Sequence, residues 1–192
     1  MQLDKWRRDW ALMSTFFSAG EIAAIAGRLR NIEIQNVVFC SFENRFAKSG
    51  GLASVITNIL PYLKEVNGIP SVILMTPFYP RIMSTGRLKS TGKSFGVPFF
   101  DKIVKAELLE YTWHYNKPRN GTLKEYYLKA EGFFGAANKL NDPYIYSESD
   151  PAANKHSMDE NAVFFCRAVP YALKALGIRE NITCTCTSGR QP

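Results

Sequence analysis

Hydrophobic and polar positions follow two periodicities along the chain, and their order predicts an α/β fold. Residues 36–41 form a short apolar run rich in β-forming side chains, which is typical of a buried strand. From residue 52 to residue 66 apolar side chains recur every three or four positions, which predicts an amphipathic helix. Residues 71–76 form a second apolar run. A strand, a helix and a strand in this order form a βαβ unit, whose two strands run parallel.

The segment after this unit predicts additional strands of a different kind. Residues 77–98 hold three prolines and three glycines, which indicates a loop. Residues 102–114 and 123–129 partly alternate between apolar and polar positions, which is typical of strands. We expect these two strands to pair antiparallel in an insertion near residues 98–130. The predicted fold class is therefore α/β, a Rossmann-like parallel sheet with an antiparallel β insertion.

The last periodic segment predicts a second helix over residues 158–176. Gly177 is placed to end it, and Ser157 or Asp159 to cap its first turn. An alternating α/β chain should then continue with an apolar strand, but hydrophobicity falls at residue 183.

We expect three regions along the chain. Residues 1–35 are expected to form a helical lead-in or linker without chemistry of its own. Residues 36–182 are expected to form a partial Rossmann-like domain. Residues 183–192 are expected to form an aberrant or disordered tail.

Charge and composition narrow the classes of partner. The 192 residues include 24 lysines and arginines against 17 aspartates and glutamates, a net charge of +7, which favours anionic ligands. The spacings of zinc fingers and the aromatic motifs of RNA-binding domains are missing, so we expect no nucleic acid partner. No apolar run reaches the length of a membrane-spanning helix, so we expect no membrane partner. The basic stretch from Arg81 to Lys93 is interpreted as a mobile, solvated loop.

The four cysteines indicate reduced thiols. Cys40 and Cys166 lie in apolar segments, where cysteine usually behaves as a small buried side chain. Cys184 and Cys186 form a C-x-C pair without the further ligands that a zinc site needs, so we expect no metal. Reduced thiols are typical of cytosolic or organellar compartments.

One motif carries a candidate chemistry. Lys48-Ser49-Gly50-Gly51 lies between the first predicted strand and the first predicted helix. Helix N-termini present unpaired N–H groups and a partial positive charge, and glycines let the backbone approach a phosphate closely. A lysine beside them adds an ammonium group for phosphate oxygens. On its own the motif is equally consistent with a tight turn and an exposed lysine.

The surroundings of the motif resemble the start of the starch and glycogen synthase catalytic domain. That family opens with a strand, an acidic residue, K-T/S-G-G-L and a helix containing Leu-Pro, which is similar to residues 42–63 here. The resemblance continues in three later segments and covers residues 36–182 in the order of the family. These segments are Ser71-Val-Ile-Leu-Met-Thr-Pro-Phe-Tyr79, Gly132-Phe-Phe134 with Asp142-Pro-Tyr144, and Asp159-Glu-Asn-Ala-Val-Phe-Phe-Cys-Arg-Ala168.

The resemblance implies a retaining glycosyltransferase of the GT-B type, with two Rossmann-like domains facing a cleft. Such enzymes transfer glucose from ADP-glucose or UDP-glucose to the non-reducing end of an α-1,4-glucan. Lys48 is then expected to contact the diphosphate region of the nucleotide sugar, and Gly50 and Gly51 to offer backbone amides to it. No cofactor or metal is expected, since protein cations stabilise the leaving diphosphate. The implied location is the cytoplasm, or alternatively a plastid.

Departures from the family pattern limit what we expect of this chain. Ser54 stands where the family usually has aspartate, and the His-Asp-Trp segment expected after Ile182 is missing. His114 and His156 do not match that histidine and are expected to lie on the surface. We therefore expect an incomplete amino-terminal domain that contains no catalytic residue and is inactive as it stands. The alternative is a non-catalytic module that binds glucan or a synthase.

Overall fold

The computed structural model describes residues 18–21, 23, 34–48, 51–67, 69–79, 87–134 and 156–187. By its internal contacts the chain divides into two units, Met1–Ile34 and Gln35–Pro192. In the first unit, Ser18 Oγ donates to a carboxylate oxygen of Glu21 at 2.7 Å, beside the first helical residues. Residues 1–17, 22 and 24–33 of the expected lead-in lie outside the described residues.

The second unit combines strands and helices. In chain order the elements of its described residues are β1 (Asn36–Ser41), α1 (Leu52–Asn67), β2 (Ser71–Pro77), β3 (Lys89–Phe99), β4 (Lys102–Tyr115), β5 (Gly121–Ala130), α2 (Met158–Ala175) and β6 (Ile182–Thr187). The predicted βαβ unit is confirmed, because β1 and β2 pair in parallel with Asn36 opposite Ser71.

All six strands belong to one sheet, in the order β3-β4-β5-β2-β1-β6. The four strands β5, β2, β1 and β6 run parallel, and β3 and β4 are antiparallel to their neighbours. The predicted mixture of a parallel sheet and antiparallel strands is confirmed. The antiparallel strands are not a separate insertion, however: β5 pairs with β4 on one side and with β2 on the other, so the main sheet continues through it.

The loop prediction for residues 77–98 is wrong from Lys89 onward, where β3 begins. This edge strand is mostly exposed and polar, so it lacks the apolar alternation by which strands are recognised in sequence. Its register shifts between Ser90 and Ser94, and Gly92 lies there with a φ of 69°. Pro98 is tolerated because it lies near the end of an edge strand. Arg81 of the basic stretch lies outside the described residues.

The expected end of the domain, residue 182, is the first residue of β6. Residues 182–187 pair in parallel with β1, from Ile182 opposite Asn36 to Thr187 opposite Ser41. The sequence of β6 is low in strongly apolar residues but rich in threonine, which favours extended backbone. Residues 188–192 lie outside the described part of the chain.

The sheet buries both of its faces in helix-covered cores. Phe99 packs edge-on against Phe164 of α2, with ring centroids 5.4 Å apart, and Tyr115 donates a hydrogen bond to Glu65 of α1. Side chains alternate between the two faces along each strand, and residues that are paired in register point to the same face. By this rule Phe99 and Tyr115 point to opposite faces of the sheet. One helix therefore covers each face, as in other open α/β sheets.

The start of α2 is fixed by polar contacts, of which those of Asn161 are the most buried. Ser157 is its N-cap and forms a capping box with Glu160, which confirms one of the two predicted caps. Asn161 accepts a hydrogen bond from Phe134 N at 2.9 Å and donates to Ser157 O at 2.9 Å. These bonds join the turn after β5 to the first turn of α2.

The predicted exposure of two side chains, His156 and Cys166, is wrong. His156 is half-buried and stacks on Phe133, with ring centroids 4.0 Å apart, whereas His114 is exposed as expected. Cys40 is buried as expected, but Cys166 is exposed on α2. The helical periodicity near Cys166 located the helix correctly, and the cysteine lies on its solvent-facing side.

Candidate functional site

The candidate site is the connection between β1 and α1, at the carboxyl edge of the parallel strands. Of the residues predicted to form it, Lys48 is exposed at the end of this connection and Gly51 is exposed directly before α1. Ser49 and Gly50 lie outside the described residues. The carboxyl ends of β1, β2, β5 and β6 meet at this edge, which is the usual ligand edge of open α/β sheets.

A buried asparagine folds the start of this connection into a tight turn. The Asn44 side-chain oxygen accepts hydrogen bonds from Phe46 N and Ala47 N, each at 2.9 Å. The amide nitrogen of Asn44 donates to Thr76 Oγ1 of β2 at 2.9 Å. Asn44 is 1% exposed, so these bonds are shielded from water. The turn directly before Lys48 is thereby fixed to the neighbouring strand.

A charged pair fixes the same turn to β5. Arg45 Nε donates to Glu125 Oε1 at 2.9 Å, and the guanidinium lies 3.9 Å from the centroid of the Trp113 ring. Tyr127 donates to the other oxygen of Glu125 at 2.6 Å. Burial raises the pKa of the Glu125 carboxyl, and the charge of Arg45 and the hydrogen bond from Tyr127 act against that rise. The pair is a buried, hydrogen-bonded cluster beneath the loop.

Aromatic side chains attach the connection to both faces of the sheet. Phe46 packs edge-on against Tyr111, with ring centroids 5.1 Å apart. Phe42 packs edge-on against Phe165 of α2, at 5.2 Å, and its carbonyl accepts a hydrogen bond from Tyr79 at 3.2 Å. Residues 42–47 are thus held from several directions, and Lys48 extends from a rigid base.

The N-terminus of α1 is capped by a residue from upstream in the chain. Gly51 is its N-cap, because Gly51 O accepts the first helical hydrogen bond, from Val55 N at 3.1 Å. A glycine has no side chain to cap the next turn, and Glu43 Oε2 instead accepts from Ala53 N at 3.1 Å. Glu43 is 3% exposed, and a carboxylate at a helix N-terminus is electrostatically favourable. The site therefore contains a buried acidic side chain beside the helix and the exposed side chain of Lys48.

Packing in the fold does not require a glycine at position 51. A Cβ atom built at this position meets no other heavy atom within 4 Å, and its φ is outside the left-handed region. Gly121 is different, since a Cβ there would overlap the hydroxyl of Tyr115. The absence of a side chain at Gly51 keeps the space in front of the helix N-terminus open.

Sequence reasoning missed two residues that build the site. The sequence gives no reason to single out Glu43, because its capping of α1 depends on a contact with Ala53, ten positions later in the chain. The sequence alone does not indicate the role of Arg45. Its partner Glu125 lies on β5, and the position of β5 beside β2 is a property of the tertiary structure.

Two negative findings concern the described residues alone. No helix there is long and apolar enough to cross a membrane. Across the same residues, no group of three or more histidine, cysteine, aspartate or glutamate side chains is arranged to hold a metal ion.

An open, mostly parallel α/β sheet with a glycine-containing loop at the carboxyl ends of its strands defines a Rossmann-like domain. The model of the starch synthase catalytic domain family matches residues 36–185, and the chain belongs to this family.

A solved structure and a search among curated proteins complete the comparison. The catalytic domain of Starch Synthase IV from Arabidopsis thaliana, bound to ADP and acarbose, matches with a TM-score of 0.53 and 19% identity. The match covers 79% of this chain and 28% of that chain, and at this identity it shows that the two chains share a fold over the matched part. No curated protein matches the chain.

Proposed function

We propose that this chain carries part of a starch-synthase-type glycosyltransferase, the part that holds the diphosphate of a nucleotide sugar. The donor would be ADP-glucose or UDP-glucose, and the acceptor an α-1,4-glucan. Family membership supports the reaction class, and the structure of Starch Synthase IV was determined with ADP and acarbose bound. We also propose the cytoplasm or a plastid as its location.

The observation that carries this proposal is the position of Lys48. It is exposed at the carboxyl edge of the sheet and follows a turn that Asn44 and Arg45 fix to two different strands. A lysine held near a helix N-terminus can place its ammonium against phosphate oxygens without reorganising the loop. In the reaction, a cation at this place stabilises the negative charge that develops on the leaving nucleoside diphosphate.

Binding of ADP-glucose tests this role directly. Isothermal titration of the 192-residue chain is compared with the variant Lys48→Ala, which we expect to bind at least tenfold more weakly, because a hydrogen bond to a charged group contributes about 1.5–3 kcal/mol. Lys93→Ala is the matched control: Lys93 is exposed on β3, and its removal changes the net charge equally. Equal affinities of Lys48→Ala and the unmodified chain would contradict the proposal.

The alternative, a non-catalytic glucan- or synthase-binding module, predicts a different pattern. Such a module would co-sediment with glucan whether or not Lys48 is present, and it would not bind ADP-glucose. This alternative would be favoured if the unmodified chain and Lys48→Ala both co-sediment with glucan and neither shows heat of binding with ADP-glucose.

A further inference from the structure

Two cysteine thiols lie together at one edge of the sheet. Cys40 Sγ of β1 and Cys184 Sγ of β6 are 3.5 Å apart, although the residues are separated by 144 positions in the chain. Cys40 is 2% exposed, whereas Cys184 is exposed. Because β6 is the last strand in the sheet order, the thiol of Cys184 can be reached from solvent.

The strand register explains why these two thiols meet. In the parallel pair of β1 and β6, Val38 lies opposite Cys184 and Cys40 lies opposite Cys186. Residues two positions apart on a strand point to the same face, so Cys184 lies on the face that holds Val38 and Cys40. The two thiols are diagonal neighbours on that face.

We propose that Cys40 and Cys184 form a reversible disulfide when the chain meets a low-molecular-weight disulfide. The thiolate of Cys184 attacks one sulfur of the oxidant, releases one thiolate and forms a mixed disulfide. The thiolate of Cys40 then attacks Cys184 Sγ and releases the second thiolate. The two protein thiols lose two protons and two electrons. The oxidant gains both electrons, and its two products take up the protons as thiols.

The exposures of the two cysteines fit this order of events. Small disulfides react with accessible thiolates, which assigns the first attack to Cys184 and leaves the buried Cys40 as the resolving thiol. The sulfur atoms must then approach from 3.5 Å to the S–S bond length of about 2.05 Å. Among the described strands β6 pairs with β1 alone, so a small shift of β6 breaks no second strand pairing.

The C-x-C pair is a poorer candidate for the same bond. Cys184 and Cys186 both lie within β6, where positions two apart are separated by about 6.6 Å along the strand. A disulfide brings its Cβ atoms to about 3.5–4.5 Å, so that bond would require β6 to leave its extended form.

The proposed bond would tie the edge strand covalently to the strand that leads into the candidate site. A cross-link that closes so long a stretch of chain restricts the unfolded state strongly. We therefore expect the oxidised chain to unfold at a temperature several degrees higher than the reduced chain, and a reductant to reverse this shift.

The test is a redox titration of the 192-residue chain with oxidised and reduced glutathione. Free thiols are blocked with N-ethylmaleimide, and peptides are mapped by mass spectrometry. We expect the peptides of Cys40 and Cys184 to appear joined, with a loss of about two mass units for the two hydrogens removed. Because one tryptic peptide carries both Cys184 and Cys186, the map is repeated on the variant Cys186→Ser, in which the joined product should persist.

Matched variants test which cysteines form the disulfide. Cys184→Ser should abolish both the joined peptides and the rise in unfolding temperature, whereas Cys166→Ser removes an exposed thiol on α2 and should change neither. Three results would overturn the proposal: a lasting glutathione adduct on Cys184 with Cys40 still a thiol, a bond to Cys186, or a bond between two chains. A non-reducing gel detects the last of these.

Discussion

Arg45 Nε lies 2.9 Å from Glu125 Oε1, and this ion pair joins the loop before Lys48 to a strand 80 residues later in the chain. The Glu125 side chain is 2% exposed and that of Arg45 19%, so water screens the pair weakly. A buried pair of this kind contributes little net free energy, but removing one partner leaves an uncompensated charge. The position of the candidate site therefore depends on both residues being present.

Replacing Arg45 by alanine should destabilise the fold strongly. The variant Arg45→Ala leaves Glu125 buried without its cation and removes the contact with Trp113. We expect the free energy of unfolding to fall by about 3–5 kcal/mol, measured by urea denaturation.

An exposed ion pair on the same strand provides the control for this variant. Lys124 Nζ lies 3.0 Å from Glu110 Oε2, and the Lys124 side chain is 52% exposed. The variant Lys124→Ala should change the free energy of unfolding by less than about 1 kcal/mol. Similar losses for the two variants would show that the Arg45 pair is not buried as described.

Alkaline pH should destabilise the chain through its buried tyrosines, among them Tyr115 and Tyr126. Burial raises the pKa of Tyr115 and of Tyr126 to about 12 each, and the neighbouring Glu65 and Glu110 add to the rise. The unfolded chain loses these protons near pH 10, and the folded chain keeps them until about pH 12.

The stabilising contribution is therefore complete below pH 10 and is lost as pH rises from 10 to 12. Urea denaturation over this range should show a falling free energy of unfolding, with tyrosinate absorbance followed in parallel. The double variant Tyr115→Phe with Tyr126→Phe should show a smaller fall. A fall of the same size in both proteins would assign the pH dependence to other groups.

The polar contacts at the start of α2 should differ in their contributions to stability. Ser157→Ala removes an N-cap and should lower the free energy of unfolding by about 1 kcal/mol. Asn161→Ala removes the side-chain hydrogen bond that satisfies the buried Phe134 N–H and those to the carbonyls of His156 and Ser157, and should lower the free energy of unfolding by about 3 kcal/mol. Thermal or urea unfolding of both variants measures the difference, and equal losses would contradict the role given to Asn161.

The sequence predicts the fold wherever apolar periodicity marks an element. The bounds of β1 agree with the prediction, and α1, β2, β4 and α2 agree within a few residues. Each of these elements buries an apolar face, which produces the period of two or of 3.6 residues. The Lys48 loop was located by the same reasoning, since it connects two such elements.

The two edge strands were missed for a common physical reason. β3 is largely solvent-exposed, and β6 is built from threonine and cysteine, so neither needs a row of strongly apolar side chains. Backbone pairing with β4 and with β1 defines them, and that pairing is a tertiary property. The Glu43 cap and the partner of Arg45 were missed for the same reason, because both depend on contacts between segments distant in sequence.

The proposal that the Lys48 loop holds a diphosphate requires Gly51 to leave the N-terminus of α1 open. The most direct measurement compares the chain with Gly51→Ala in two assays, urea denaturation and titration with ADP. A Cβ at this position meets nothing in the fold, so the free energy of unfolding should fall by no more than about 1 kcal/mol, the difference in N-cap preference. Affinity for ADP should fall by about tenfold or more, since the methyl group occupies the approach of the phosphate. Unchanged ADP affinity in a stably folded Gly51→Ala variant would contradict the proposal.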